Sequence, residues 1–303
     1  MHIDWLIGID LGGTKTEVIL MDRQSNERFR KRVPTPAGDY PATLKTIRSL
    51  VLDAEAQAGS GDLPVGIGIP GSVSGITGLV KNGNSTWLNG QPMQDDLCAL
   101  LQRPVTVTND ANCLALSEAT DGAGANHNLV FAAILGTGCG AGISVNGRIL
   151  SGPNGVAGEW GHNPLAWTPQ SELALRPCFC GRYGCNETFL SGIGLSLTHK
   201  RLSGQECPDL DIVDNACKGD AAAAETLNQY LEHLARGLAA VINVLDPDII
   251  VLGGGMSNVE QMYRELPPRL GKYVFGGECG TPILKAAHGD SSGVRGAAWL
   301  SRP

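Results

Sequence analysis

Apolar positions in this chain fall first into short unbroken runs and then into helical steps. Residues 5–10 read as a buried strand, Gly12-Gly13 as a turn and residues 16–21 as a second strand, which together make a glycine-tipped hairpin. Leu44, Ile47, Val51 and Ala54 then recur at three- and four-residue steps after Pro41, the pattern of an amphipathic helix with proline in its first turn. Strands are expected at residues 65–69, ending at Pro70-Gly71, and at residues 105–108, ending at Asn109-Asp110. Residues 129–135 form an apolar run that leads into Gly136-Thr137-Gly138-Cys139-Gly140 and a further strand over residues 141–145. This loosely repeats the opening hairpin, as a duplicated half-protein would. Leu227, Leu231, Leu234, Leu238, Val241 and Leu245 predict one long helix over Ala221–Leu245, closed by Asp246-Pro247. A strand over residues 249–252 runs into Gly253-Gly254-Gly255, and Ser257 or Asn258 is expected to cap the helix that follows. Strands alternating with helices predict the α/β class.

The chain has 303 residues and a formal net charge of −7, enough length for about two domains with real cores. An acidic chain whose longest basic run is Arg30-Lys31-Arg32 is a poor partner for nucleic acid. Met1-His2-Ile3-Asp4 lacks a cationic start, and the apolar run that follows is too short for a signal peptide or membrane span, so a cytoplasmic protein is expected. Nine cysteines, an odd number in so long a chain, read as reduced thiols or metal ligands. Glycine, at 41 residues, is about twice its usual share of roughly 7%. Much of that excess sits in turns that follow strands.

Three such turns stand out: Asp10-Leu11-Gly12-Gly13-Thr14-Lys15, residues 136–140, and Gly253-Gly254-Gly255. Glycine lets backbone N–H groups approach phosphate oxygens, and Thr adds a hydroxyl donor; the plain alternative is tight turns and nothing more. Neither standard nucleotide fingerprint fits: no Gly-x-x-x-x-Gly-Lys-Ser/Thr occurs, and the one Gly-x-Gly-x-x-Gly spacing, Gly66 to Gly71, lies within the expected strand and at its end rather than opening a helix. Asp110 follows a strand, where a carboxylate can project as a general base or simply cap a helix. Glu159 and His162, three residues apart, pair a carboxylate with an imidazole in one turn, as a site or as ordinary surface. Cys178, Cys180 and Cys185 supply three soft ligands within eight residues, and His162 would complete a tetrahedral zinc set with no open position; the alternative is unligated thiols.

These motifs, in this order, resemble the ROK family (repressors, open reading frames and kinases) of bacterial sugar kinases, and within it the fructokinase or manno(fructo)kinase branch. The resemblance covers nearly the whole chain. It implies the actin-like, hexokinase-like fold: two duplicated, ribonuclease-H-like α/β domains with an interdomain cleft. Domain one would comprise residues 1–115 with 290–303, and domain two residues 116–289 with the zinc loop. The reaction implied is ATP-dependent phosphorylation of a hexose, fructose to fructose 6-phosphate first, with mannose and glucose as secondary substrates.

By the same resemblance Asp110 is the catalytic base, and Gly71, Asn84, Asn109, Asp110, Glu159, His162 and Glu187 meet the sugar. Gly12, Gly13, Thr14 and Lys15, with Thr137, Gly138 and Gly140, would hold the ATP phosphates, and Gly253, Gly254 and Gly255 would lie against the adenosine. Asp10 would hold the catalytic Mg²⁺ through water, and Zn²⁺ would be structural. Lys81-Asn82-Gly83-Asn84-Ser85-Thr86-Trp87-Leu88-Asn89-Gly90 resembles the manno(fructo)kinase loop, where Trp87 would fill the space an N-acetyl group needs. The alternatives are an N-acetylhexosamine kinase on the same scaffold and a catalytically inactive sugar-sensing protein, although Asp110 and every phosphate turn remain. One departure is Asn186, where the family usually has an apolar residue. With the first strand starting by Trp5, no DNA-reading helix-turn-helix is expected. The partners expected are a hexose and ATP, with a second copy of the chain as the one protein partner entertained.

Overall fold

The computed structural model of the chain describes residues 5–302, so the Met1-His2-Ile3-Asp4 reading lies outside the described residues. Its strands are β1 Trp5–Leu11, β2 Lys15–Asp22, β3 Glu27–Pro34, β4 Val65–Ile69, β5 Ser72–Val73, β6 Val80–Lys81, β7 Val105–Asn109, β8 Leu129–Leu135, β9 Cys139–Val145, β10 Arg148–Ile149, β11 Ile249–Gly253 and β12 Ile283–Lys285. Its α-helices are α1 Tyr40–Ala58, α2 Met93–Leu101, α3 Asp110–Asp121, α4 Gln170–Leu173, α5 Glu187–Leu190, α6 Gly192–Ser203, α7 Asp209–Cys217, α8 Ala221–Leu245, α9 Gln261–Leu270 and α10 Ser292–Leu300. No described helix is long and apolar enough to cross a membrane.

Two five-stranded sheets have the orders β3-β2-β1-β4-β7 and β10-β9-β8-β11-β12. The duplication is visible in those orders: three strands in sequence, then two added on the far side of the first. In the first sheet β1 pairs antiparallel with β2 and parallel with β4, and β4 pairs parallel with β7. In the second, β8, β11 and β12 form the parallel half. This is the duplicated α/β arrangement of the actin-like fold.

Compactness divides the chain into two units, one of residues 1–126, 142–157 and 290–303, the other of residues 127–141 and 158–289. The break expected after residue 115 falls inside α3, which belongs wholly to the first unit. In that unit Ile7, Ile9, Leu11, Ile67 and Ile69 meet Ile47, Leu50, Val51 and Ala54 of α1 in one buried cluster. Helix α10 covers the sheet, and it comes so close that a Cβ on Gly66 would sit 2.0 Å from the Ala297 carbonyl oxygen. On Gly8 it would sit 2.2 Å from that of Val294. Glycines in adjacent strands therefore serve as a flat seat for a helix.

The long helix forms as its periodicity predicts, with the Asp220 carboxylate accepting from the Ala223 N–H at its start. Two expectations about caps are corrected. Neither Ser257 nor Asn258 caps α9, because both lie in a short 3₁₀ turn, Gly255–Asn258, and donate back to Gly254 and Gly255 carbonyls. The cap of α3 is Asn109, whose Oδ1 accepts from the Ala111 N–H, and Asp110 is thereby the first helical residue.

Candidate active site

In the first unit, the ends of β1, β4 and β7 bring the polar candidates together, since parallel strands end on one edge. Asn109 links two of these ends by donating from Nδ2 to the Gly71 carbonyl at 2.9 Å. Asp110 is exposed at the N-terminus of α3, with Oδ1 accepting from the Ala111 N–H at 2.8 Å. A carboxylate is favoured at that end of a helix dipole. The β1–β2 turn is closed by Gly12 N–H to the Lys15 carbonyl at 2.8 Å and braced by the Thr35 hydroxyl, which donates to the Gly12 carbonyl. Gly13, Thr14 and Lys15 are left exposed beyond it. Ser85 abuts this turn, its hydroxyl 3.3 Å from where a Cβ on Gly13 would lie, and Asn84 beside it is exposed.

Asp10 closes the group. Burial pushes its carboxyl up to about 7, and the neighbouring Asp110 and Glu17 carboxylates push the same way against the pull of Arg32. Crowded carboxylates beside an exposed glycine turn are hard oxygen donors whose repulsion a divalent cation would relieve. That donor chemistry fits Mg²⁺.

In the second unit, the turn after β8 is closed by Gly136 N–H to the Gly138 carbonyl and anchored by Gly192 N–H to the Gly136 carbonyl at 2.8 Å. Thr137 and Gly138 are exposed, and Gly140 continues into β9. Glu187, the first residue of α5, reaches this turn: its Oε2 accepts from the Cys139 N–H at 3.2 Å. Gly253, Gly254 and Gly255 lie beside it, with a Cβ on Gly254 only 2.6 Å from the Leu135 carbonyl. Glu159 and His162 share a 3₁₀ turn, Glu159–His162, in which they are half-buried while Trp160 and Gly161 between them are buried. Gly161 packs this turn onto β9 so tightly that a Cβ there would lie 1.9 Å from the Cys139 carbonyl.

The four candidate metal ligands converge. One ring nitrogen of His162 and the Sγ atoms of Cys178, Cys180 and Cys185 all lie within 4.8 Å of one another. Cys178 to His162 is 3.6 Å and Cys180 to Cys185 is 3.7 Å. A tetrahedral zinc with bonds of about 2.3 Å to sulfur requires edges of about 3.8 Å. The donor set and its dimensions fit Zn²⁺, and all nine cysteines are free of disulfides. Burial and the neighbouring thiols push the Cys185 thiol up to about 12, and burial raises Cys178 as well. Burial opposes ionisation of Cys180 too, but donors from the Arg182 backbone and the adjacent thiols together hold its value below the ordinary one.

One part of this unit was not signalled by any motif. A cavity of 590 Å³ opens beside Thr137, along one face of α6 formed by Gly192, Ile193, Ser196, Leu197 and Lys200, and is walled by Glu206, Cys207, Pro208 and Asp209. The spacing of those α6 residues is that of a single helical face, but its mixed polarity hides it from a hydrophobic reading. Gly253, Gly254 and Gly255 are not among its lining residues.

The chain is 40% identical over 297 residues to an N-acetyl-D-glucosamine kinase of Yersinia pseudotuberculosis, covering 97% of each protein. It is also 40% identical over 298 residues to one from Vibrio vulnificus, covering 97% of this chain and 98% of that one. Among solved structures, a ROK hexokinase from Thermus thermophilus superposes with a TM-score of 0.86 at 28% identity, covering 98% of this chain and 97% of that one. A ROK family glucokinase from Streptomyces griseus, in complex with glucose and AMPPNP, gives 0.78 at 27% identity, with 98% of both chains covered. These relatives carry the names N-acetyl-D-glucosamine kinase, hexokinase and glucokinase, and the narrower fructokinase expectation finds no support among them. A model of the ROK family matches residues 6–303. With that match across the whole of its two duplicated α/β units, the chain belongs to the ROK family.

Proposed function

We propose that this ATP-dependent sugar kinase phosphorylates N-acetyl-D-glucosamine. The observation that carries the choice of acceptor is the 40% identity, over nearly full length, to kinases of that name. The packing of the 81–90 loop supports this choice. Trp87, whose bulk was expected to exclude an acetamido group, packs against the apolar cluster of the first unit, and its indole nitrogen is buried. Fructose, with mannose and glucose behind it, is the second reading, favoured by the residue 81–90 loop in which Asn84 is exposed to offer its amide to a hydroxyl.

In this reading Asp110 takes the proton from the attacking hydroxyl, and its helix-terminal position keeps the carboxylate exposed to do so. Asn109, Asn84 and the Gly71 backbone of the first unit are assigned to the sugar, and so are Glu159, His162 and Glu187 of the second. The exposed turns at Gly12, Gly13, Thr14 and Lys15 and at Thr137, Gly138 and Gly140 present donors to the phosphates. We assign the 590 Å³ cavity beside Thr137 to the nucleoside, in place of the Gly253–Gly255 turn alone. Mg²⁺ held through water near Asp10 would neutralise phosphate charge. His162, Cys178, Cys180 and Cys185 would hold Zn²⁺, which with four protein ligands braces the loop and takes no part in the chemistry.

The test is a coupled ATP-consumption assay comparing kcat/KM for N-acetyl-D-glucosamine and fructose in one preparation. A ratio above one supports the proposal, and a ratio below one transfers the assignment to fructose. Absence of turnover with every hexose would leave a sugar-sensing protein.

A further inference from the structure

We infer that Asn186 is a positioning residue for the sugar site, holding the Glu159–His162 turn in register with Glu187. The inference rests on the proposed function, because it takes Glu159, His162 and Glu187 to be the groups that meet the sugar. Residue 186 sits between Cys185 and Glu187, at the N-cap position of α5. Asn is favoured at such positions because its side chain accepts from the first backbone N–H groups of the helix. Here it does not. Its backbone is helical, with φ −45° and ψ −42°, and its side chain makes no capping bond. Instead Nδ2 donates to the Trp160 carbonyl at 2.8 Å, while its own N–H donates to the Asn163 carbonyl at 2.8 Å.

Trp160 is also the residue whose carbonyl accepts the Asn163 N–H at 3.0 Å and so closes the turn. The side chain of Asn186 thus grips the turn at its closing bond. The metal ligands already tie His162 to Cys185 at the far end of the turn. The seat of Gly161 on β9 and the backbone bond of Asn186 to Asn163 hold the middle and far end of the turn, and the side-chain bond adds a hold on the Trp160 carbonyl, one residue from Glu159. Glu159 opens the turn, three residues before His162 and next to Trp160, so of these holds the Asn186 bond is the nearest to it along the chain.

The choice of Asn is also poor for stability alone. The residue is 4% exposed, and its Oδ1 is buried without a hydrogen-bond partner. An unpaired buried acceptor destabilises a fold, and an apolar side chain of similar volume would carry no such cost. What Asn gains over an apolar residue is the donor to Trp160. A positioning role therefore predicts that stability and sugar affinity move in opposite directions on substitution.

Asn186→Leu keeps the branched shape and the number of heavy atoms, with somewhat bulkier methyl groups, and removes the donor. Its melting temperature should equal or exceed the parent's, its zinc content should stay at one per chain, and KM for ATP should stay within twofold. KM for the sugar should rise about tenfold. Asn186→Ala, too small to clash, carries the same kinetic test should leucine fail to fold. A sugar KM within twofold of the parent's in either folded, zinc-loaded variant would overturn the inference. So would a parallel loss of sugar and ATP affinity with stability, or failure of both variants to fold, since each makes Asn186 a residue of the fold in general. The parent is assayed first with N-acetyl-D-glucosamine and fructose: turnover of neither ends the proposed function, whereas parental turnover with unchanged KM in the variants ends only the role of Asn186.

Discussion

Replacing Asp10 by Asn should make the magnesium-free protein more stable at alkaline pH while impairing it as an enzyme. The carboxyl group is raised from 3.8 to about 7, by burial first and by Asp110 and Glu17 next. Between those values the folded protein keeps a proton that the unfolded chain has released, so stability falls as pH rises through that window. A gap of about three corresponds to roughly 4 kcal/mol at most. Partial exposure of the residue to solvent and its coupling to Asp110 reduce this to about 2 kcal/mol. Asn cannot ionise and escapes the loss. Thermal melts at pH 5 and pH 8 should show the variant's advantage widening with pH, to about 4–8 °C at the alkaline end for a domain of this size. Turnover with Mg²⁺-ATP should fall at least about tenfold, because the variant loses a charged partner for the metal. An advantage equal at the two pH values, or an Asn variant less stable at pH 8, would refute the reasoning.

Asp110→Asn should lower kcat by roughly 10² to 10⁴ with the sugar still bound, as measured by single-turnover assay and calorimetry; near-parental kcat would remove Asp110 from its role. Elemental analysis should find one zinc per chain, lost in Cys178→Ser or Cys185→Ser, and chelation should lower melting temperature and activity together; a metal-free, fully active protein would contradict the assignment. Gly161→Ala should cost about 3 kcal/mol or more in denaturant unfolding, because its Cβ would lie 1.9 Å from the Cys139 carbonyl. A loss under 1 kcal/mol would mean the turn is free to move off β9.

Apolar runs and helical steps were enough to place β1, β2, β4, β7, β8, β9, β11, α1 and α8, because each buries a face whose period survives in the sequence. The edge strand β3 was not legible. Its Glu27, Arg28, Arg30, Lys31 and Arg32 suit a strand paired on one side and wet on the other, and carry no apolar alternation. The zinc ligands were legible as spacing, since tetrahedral geometry constrains the chain locally. Asn186 was visible as an oddity but not as a bond, because its partner is a carbonyl 26 residues away. The cavity along α6 was invisible for a related reason: empty space is made by what several segments leave unfilled, and no one segment records it.

The seat of α10 on Gly8 and Gly66 has a consequence for the order of events during synthesis. The helix that completes the first unit is encoded after the whole of the second unit, residues 127–141 and 158–289. At ribosomal speeds of about 5–20 residues per second, the nascent first sheet waits on the order of ten seconds with one face uncovered. The second unit has all of its strands and helices before α10 emerges, so it can collapse first, reversing the usual N-terminal-first order. During that interval the glycine-bearing face of β1 and β4 lacks its α10 cover and is open to chaperones and to association with other nascent chains.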